Sequence, residues 1–222
     1  RIGSPTIPVH EIATVGLVVS SHVDGQLATA TFDNVSITPA RNWLAADVSG
    51  ASTVFAGSHT DSGGTLTVRA RGVDIWGTSD AFRFVYLPMS GDGSIVARVT
   101  SIANTHAWAK AAVMIRESTA PGSTHAMTLL SAGKGLALQY RPTTNGASLN
   151  AAFSGETPAP WVRLVRQGNT FISSVSSDGV PWREIARPTI TMGANVLAGL
   201  AVTSHNIDAY ATGVFDSIAV VP

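Results

Sequence analysis

The sequence contains no cysteine, only two lysines, and few charged residues of either sign. The absence of cysteine excludes disulfide bonds, thiolate metal sites and cysteine nucleophiles. Charged residues make up 13% of the 222 residues, and 14 basic side chains balance 14 acidic ones. Nucleic-acid-binding proteins need clustered cations that displace counterions from phosphates. The charge balance therefore argues against nucleic acid as a partner.

The chain also lacks a long apolar run. No run approaches the roughly 20 apolar residues that cross a bilayer, so no membrane-spanning segment is expected. The hydrophobic content of 45% is nevertheless too high for a disordered chain. The excess of arginine over lysine, 12 to 2, and the abundance of small polar residues favour a secreted, extracellular protein.

A long internal repeat is the strongest signal in the sequence. A shift of 183 positions aligns residues 2–39 with residues 185–222 without a gap, and 14 of the 38 aligned positions are identical. About two identities would be expected by chance. The matched pairs include Pro5/Pro188, Gly16/Gly199, His22/His205, Phe32/Phe215 and Asp33/Asp216. The same structural ending is therefore expected twice.

The spacing of the repeat indicates whole domains, because solenoid units are only about 20–50 residues long. We expect residues 1–39 to be the C-terminal hairpin remnant of a preceding copy, and residues 40–222 to be one complete domain. An isolated hairpin is marginally stable in water. The remnant is therefore expected to pack on the complete domain or to mediate self-association with another chain.

Short apolar or alternating runs recur along the chain with turn signals between them, and no window sustains a helical period. Two runs in the remnant are Val15–Ser20 and Ala28–Ile37. Examples in the complete domain are Thr65–Ala70, Ala81–Tyr86, Ser94–Ile102, Ala111–Arg116, His125–Leu130, Leu136–Arg141, Trp161–Arg166, Thr170–Ser176, Val196–Thr203 and Gly213–Val221. This pattern predicts an all-β fold, an antiparallel two-sheet sandwich of the jelly-roll type.

Alternation along three of these strands separates an apolar face from a polar one. In the predicted strand 109–116, Lys110 and Arg116 share one face, opposite aliphatic side chains. In the strand 136–141, Gln139 and Arg141 share one face in the same way. In the strand 161–166, Arg163 lies opposite two aliphatic residues. If the three strands are neighbours, these five side chains line one polar sheet face.

Several segments resemble a known family. They are VDIWGTSDAFRFVY (73–86), WAKAAVMIRESTAPGSTHAM (108–127), WVRLVRQGNTF (161–171), SSDGVPW (176–182) and FDSIAV (215–220). Over nearly all of 45–220 the chain resembles the DUF1349-like, concanavalin A-like lectin/glucanase domains, accessory modules of secreted bacterial proteins that often accompany glycoside hydrolases. The resemblance implies a two-sheet jelly roll and carbohydrate binding. It names no ligand, because this fold hosts lectins, glycanases and spacers alike.

The acidic residues do not indicate an enzyme. Retaining glycanases need two carboxylates about 5 Å apart. The chain has only four glutamates and no run of alternating acids. It also lacks the Gly-x-Ser-x-Gly elbow of serine hydrolases. We therefore expect a domain without catalytic activity.

Two pairs of repeated positions are candidate structural sites. His22 and His205 follow a serine in a predicted turn, where a structural hydrogen bond is favoured over metal binding. Asp33 and Asp216 lie on the predicted last strand, where many jelly-roll carbohydrate-binding domains place a structural calcium ion. Calcium needs six to eight oxygen ligands, so an aspartate that accepts backbone N–H bonds is the alternative at Asp216. No other cofactor is expected.

Tryptophans matter because sugar rings stack on flat aromatic side chains. Trp76 and Trp182 occur in contexts that favour packing in the core or in a hairpin. Trp108 lies in a loop before a strand and is the tryptophan expected to reach solvent. Tyr140 lies on the apolar side of its strand, so it is expected in the core.

These features predict a non-catalytic, lectin-like carbohydrate-binding domain of a secreted, multimodular bacterial protein. Arginine forks would suit the carboxylates or sulfates of an anionic glycan, although arginines on an exposed sheet also serve solubility. The alternatives are a structural spacer or adhesion repeat without a sugar site and, less favoured, a glycanase. The candidate binding residues are Trp108, Lys110, Arg116, Gln139, Arg141 and Arg163.

Overall fold

The structure, a computed structural model, describes residues 17–32, 42–50, 55–154 and 160–222, and the backbone alone for 152–154. The chain divides into two compact units, Arg1–Arg41 and Asn42–Pro222. The described residues contain no helix that is long and apolar enough to cross a membrane.

Fourteen strands make up the regular structure of the described residues, all of them in the second unit. The strands are β1 (Leu44–Ser49), β2 (Ser58–Ser62), β3 (Thr65–Gly72), β4 (Ala81–Ser90), β5 (Gly93–Ile102), β6 (Lys110–Arg116), β7 (His125–Ser131), β8 (Gly135–Arg141), β9 (Leu149–Ser154), β10 (Trp161–Gln167), β11 (Thr170–Ser176), β12 (Arg183–Ala186), β13 (Asn195–Thr203) and β14 (Asn206–Val221).

These strands form two antiparallel sheets of seven strands each, which confirms the predicted all-β sandwich. Sheet 1 has the order β1-β4-β13-β6-β7-β8-β9, and sheet 2 has the order β12-β11-β10-β5-β14-β3-β2. The main core lies between them and contains Val113 and Leu138 from sheet 1 with Leu164 and Phe215 from sheet 2. Alternation in the strands produces this core because side chains at every second position face the opposite sheet.

The outer face of sheet 1 carries a second apolar cluster, which includes Phe84, Met114 and Met127. These side chains alternate with those of the main core, so they lie on the opposite face. Ile75, from the segment 73–80 that joins β3 to β4, is fully buried in the same cluster. All seven residues of β6 are consequently buried. The face predicted to be polar is thus largely covered.

The repeated sequence forms the same turn in both of its copies. The Ser21 hydroxyl donates to the Val23 carbonyl at 2.8 Å, and the equivalent Ser204 hydroxyl donates to the Asn206 carbonyl at 2.6 Å. The intervening histidines, His22 and His205, have left-handed φ angles of 57° and 49°. In the second unit this turn joins β13 of sheet 1 to β14 of sheet 2.

The predicted remnant hairpin falls only partly on described residues. Residues 17–32 contain the turn that follows Ser21, and no strand is found within them. The described parts of Val15–Ser20 and Ala28–Ile37 therefore lack the predicted strand structure. The rest of both runs, and Asp33 with them, lies outside the described residues.

Candidate functional site

A cleft of about 510 Å³ opens on the outer face of sheet 1. Its floor comes from strands β6, β8 and β9, and its walls come from the connections before β4 and β6 and from the β13–β14 turn. It is lined by Asp74, Trp76, Trp108, Lys110, Gln139, Asn150 and His205. Sequence reasoning found three of these residues, namely Trp108, Lys110 and Gln139.

Two tryptophan rings line the cleft near one ammonium group. The Lys110 Nζ atom lies 5.9 Å from the ring centroid of Trp76 and 5.9 Å from that of Trp108. Trp76 is 39% exposed, so the core alternative of its predicted packing in the core or in a hairpin is wrong. The segment 73–80 turns Ile75 inward and leaves the adjacent Trp76 at the surface. Trp108, expected to reach solvent, is half-buried.

The Lys110 ammonium is held inside the protein by Asp74. Its Nζ donates to Asp74 Oδ1 at 2.5 Å and to the Ile75 carbonyl at 3.1 Å. The lysine is only 1% exposed, and this burial lowers its pKa although Asp74 acts in the opposite direction. Lys110 therefore lines the cleft as the partner of an internal carboxylate.

Asp74 also brings a histidine of the repeated turn to the cleft. Its Oδ2 atom lies 3.2 Å from His205 Nδ1, and the His205 ring stacks on His106 at 4.1 Å between centroids. The predicted structural hydrogen bond is not formed through this nitrogen, because His205 Nδ1 is buried and has no hydrogen-bond partner among the described residues. The left-handed turn described above aims the ring at Asp74, which sequence spacing does not reveal.

Two amides form the polar floor of the cleft. Gln139 on β8 and Asn150 on β9 are register partners in neighbouring strands. Gln139 is 4% exposed, and among the described residues no donor reaches its Oε1 atom. Asn150 was missed by sequence reasoning, because β9 has no recognisable alternating run and its register with β8 shifts between Leu138 and Gln139.

The predicted binding residues Arg116 and Arg141 are instead fully buried around Asp80. Arg141 makes a bidentate pair with Asp80, with Nη2–Oδ1 at 2.6 Å and Nη1–Oδ2 at 2.8 Å. Arg116 Nη1 lies 3.3 Å from the same Oδ2. All three side chains are 0% exposed. The sheet face predicted for the two arginines is correct. They cannot touch a ligand, however, because the segments 73–80 and 117–124 cover them.

The two arginines hold these segments over the sheet. Arg116 donates to the carbonyls of Ser118 and Ala120, each at 2.5 Å. Arg141 donates to the Gly77 carbonyl at 3.1 Å and to the Trp76 carbonyl at 3.4 Å. The buried charges thus fix the backbone that carries Trp76, so their contribution to the cleft is indirect.

A buried histidine completes this cluster. His125 Nδ1 donates to the Ser123 carbonyl at 3.3 Å and lies 3.8 Å from Asp80 Oδ2. Burial lowers the pKa of His125 to about 3, since desolvation and the two neighbouring arginines outweigh Asp80. The imidazole is therefore neutral at ordinary pH.

Arg163 does not belong to the cleft, and its assignment to the same face is wrong. It lies on β10, which pairs with β5 and β11 in sheet 2. Its guanidinium stacks 4.4 Å from the ring centroid of Trp182. Alternation within a strand shows which side chains share a face, but it does not show to which sheet the strand belongs.

Asp216, the candidate calcium ligand, faces a cation. Arg98 Nε donates to its Oδ1 at 2.7 Å, and Arg98 Nη2 donates to its Oδ2. These hydrogen bonds lower the pKa of Asp216. No group of three or more histidine or acidic side chains able to hold a metal occurs within the described ranges.

We expect removal of divalent ions to leave the melting temperature unchanged. Arg98 already binds both carboxylate oxygens of Asp216, so a calcium ion would have to replace this guanidinium or lie next to its positive charge. Melting curves with and without EDTA measure this. A melting temperature that falls with EDTA and recovers with added calcium would contradict the expectation.

The described lining of the cleft holds a single carboxylate, that of Asp74. Hydrolysis with retention or inversion ordinarily uses two carboxyl groups on opposite sides of the scissile bond. Asp74 is moreover already bound by the Lys110 ammonium. The cleft can therefore stack and hydrogen-bond a ring, but the usual pair of carboxylates is not found among its described residues.

Three solved structures are similar to this chain in fold. A functionally unknown protein from Saccharomyces cerevisiae has a TM-score of 0.62 and 18% identity, covering 81% of this chain and 96% of its own. The carbohydrate-binding module CBM66 from Bacillus subtilis has a TM-score of 0.53 and 17% identity, covering 75% and 92% respectively. A prokaryotic β-1,3-1,4-glucanase (lichenase) from a mouse hindgut metagenome has a TM-score of 0.51 and 13% identity, covering 81% and 92%.

The chain shares the two-sheet, antiparallel jelly-roll sandwich fold of these structures. At these identities the likeness concerns the fold alone, and the same architecture serves a binding module and a hydrolase. The sequence matches no protein-family model, and no curated protein aligns with it significantly. Function must therefore be argued from the cleft itself.

Proposed function

We propose that this chain is a non-catalytic carbohydrate-binding domain that holds a sugar in the cleft between Trp76 and Trp108. The observation that carries the proposal is the pair of tryptophan rings that line one concave, polar-floored surface. Ligand sites combine aromatic walls with a few placed polar groups in this way. The fold-level likeness to a carbohydrate-binding module supports the proposal.

Binding would be reversible and would leave the sugar unchanged. The ring faces of Trp76 and Trp108 would stack on the apolar faces of the sugar, and the amides of Gln139 and Asn150 would take its hydroxyl groups. The described lining holds one carboxylate, that of Asp74, and Lys110 already binds it. Because glycoside hydrolysis ordinarily uses two carboxyl groups, this lining supports the non-catalytic assignment.

The proposal includes a wider setting for the domain. We place it among the DUF1349-like accessory domains of secreted, multimodular bacterial proteins, on the resemblance of its segments. Residues 1–39 would be the end of a preceding copy, and the turn shared by Ser21 and Ser204 supports this assignment. Tandem copies would raise the overall affinity for a polymer through effective concentration.

Titration of the protein with a panel of neutral and acidic polysaccharides tests the proposal, by affinity electrophoresis and by calorimetry. We expect Trp76→Ala and Trp108→Ala each to weaken binding about tenfold or more, because each removes a stacking surface. Trp182→Ala is the matched control, since it removes a tryptophan that packs against Arg163 of sheet 2. Melting temperatures of the variants check that each has folded.

Two results would contradict the proposal. Absence of binding to every polysaccharide of the panel would favour a structural spacer or adhesion repeat. Release of shorter oligosaccharides from a substrate, abolished by Asp74→Asn, would instead identify a glycanase.

A further inference from the structure

The cations predicted for the sugar site are not available to a ligand. Arg116 and Arg141 are 0% exposed around Asp80, and Arg163 lies on sheet 2. Lys110 is the cation that remains at the cleft, and its ammonium is bound to Asp74 at 2.5 Å. The attraction to an anionic glycan that the sequence suggests therefore has no accessible source among these four residues.

The ion pair in the cleft presents its negative end outward. The Lys110 side chain is 2% exposed, whereas that of Asp74 is 19% exposed. The Asp74 side chain is therefore more accessible to a ligand than the Lys110 side chain. A sugar carboxylate or sulfate would lose hydration and approach a like charge, which is unfavourable.

An unpartnered acceptor lines the same cleft. The Gln139 Oε1 atom is buried and, among the described residues, has no hydrogen-bond donor. A buried acceptor without a donor costs free energy, which a ligand donor would recover. Hydroxyl groups can donate to such an oxygen, while carboxylates and sulfates are acceptors only.

We propose that the cleft selects an uncharged sugar, one hydroxyl of which donates to Gln139 Oε1, and that it discriminates against uronic acids and sulfated sugars. The inference rests on the proposed function and specifies its ligand class. It replaces the anionic glycan expected from the sequence, because Lys110 is paired with Asp74 and the predicted arginines are either buried around Asp80 or lie on sheet 2.

Pairs of oligosaccharides that differ only by oxidation at C6 test the proposal. Both members of each pair are titrated in the same buffer at the same pH. We expect the neutral member of each pair to bind at least about tenfold more tightly than the acidic one. We expect the affinity for the neutral sugar to be the same at low and high salt, because an uncharged sugar forms no ion pair with the protein.

Two variants separate the contributions of the acceptor and of the carboxylate. Gln139→Met keeps the length of the side chain without the acceptor and should weaken neutral-sugar binding about tenfold. Gln167→Met, an exposed glutamine at the end of β10, is the matched control. Asp74→Asn removes the carboxylate that an acidic sugar would approach, so it should reduce the preference for the neutral member of each pair.

The outcomes distinguish this inference from the proposed function. Tighter binding of the acidic member, lost in Trp76→Ala, overturns the neutral-sugar inference and keeps the cleft as a sugar site. An affinity unchanged in Gln139→Met also overturns the inference. Absence of binding to either member, and to every sugar of the wider panel, overturns the proposed function and the inference with it.

Discussion

Replacement of Asp80 by alanine is expected to lower the free energy of unfolding by about 3–5 kcal/mol, the usual cost of removing one partner from a buried charge cluster. Without Asp80, Arg116 and Arg141 would remain at zero exposure with no carboxylate within reach in the cluster. Chemical denaturation of the wild type and the variant, monitored by tryptophan fluorescence, measures the difference.

Asp216→Ala is the matched control for Asp80→Ala. Its carboxylate also pairs with an arginine, but the Arg98 side chain is 43% exposed and can be solvated when its partner is lost. Solvent-exposed pairs contribute little to stability. Equal losses in the two variants would contradict the assignment of Asp80 as the centre of a buried network.

Acid is expected to destabilise the domain steeply through His125. The folded pKa of this histidine is about 3, below the value of about 6.5 expected in the unfolded chain. Between about pH 6.5 and pH 3 the unfolded state therefore binds a proton that the folded state does not. The contribution of His125 to the free energy of unfolding is fully present above about pH 6.5 and is lost as the pH falls towards 3. The expected contribution is about 1.4 kcal/mol for each pH unit in this window.

Unfolding free energies of the wild type and of His125→Gln, measured from pH 7 to pH 4, check this prediction. Glutamine does not titrate, so the variant should lose stability less steeply by about the contribution of one histidine. Parallel curves for the two proteins would show that His125 is already protonated in the fold, or that it remains neutral in both states.

The buried network also bears on the site. Arg141 binds the carbonyls of Trp76 and Gly77 while it pairs with Asp80. Loss of Asp80 would therefore loosen the backbone that carries one wall of the cleft. The arginines predicted as ligand contacts act instead as positioning residues, through the segment 73–80.

The inner strands were predictable, and the edge strands were not. The ten runs recognised in residues 40–222 coincide with the inner strands of the two sheets. The strands without such a run are β1 and β9 at the edges of sheet 1, and β2 and β12 at the edges of sheet 2. Edge strands bury less surface and need less regular alternation. The β2 sequence, SHTDS, is almost entirely exposed, for example.

The faces of the strands were also predictable, because alternation follows from backbone geometry alone. Lys110, Arg116, Gln139 and Arg141 do share the outer face of sheet 1. Solvent access to that face was not predictable, since it depends on where the segment 73–80 lies. Asp80 is 61 residues away from Arg141 along the chain, and no local pattern connects them.

The sequence by itself determined the all-β class, the inner strands, the side of each strand that faces the core, and the repeated ending with its histidine turn. These properties depend on local periodicity and on residue identity. Only the tertiary structure decided which cations pair with Asp74 and Asp80, which tryptophans line one cleft, and that Arg163 belongs to the other sheet. These properties depend on long-range contacts, because charge and exposure are set by neighbours that are distant in the chain.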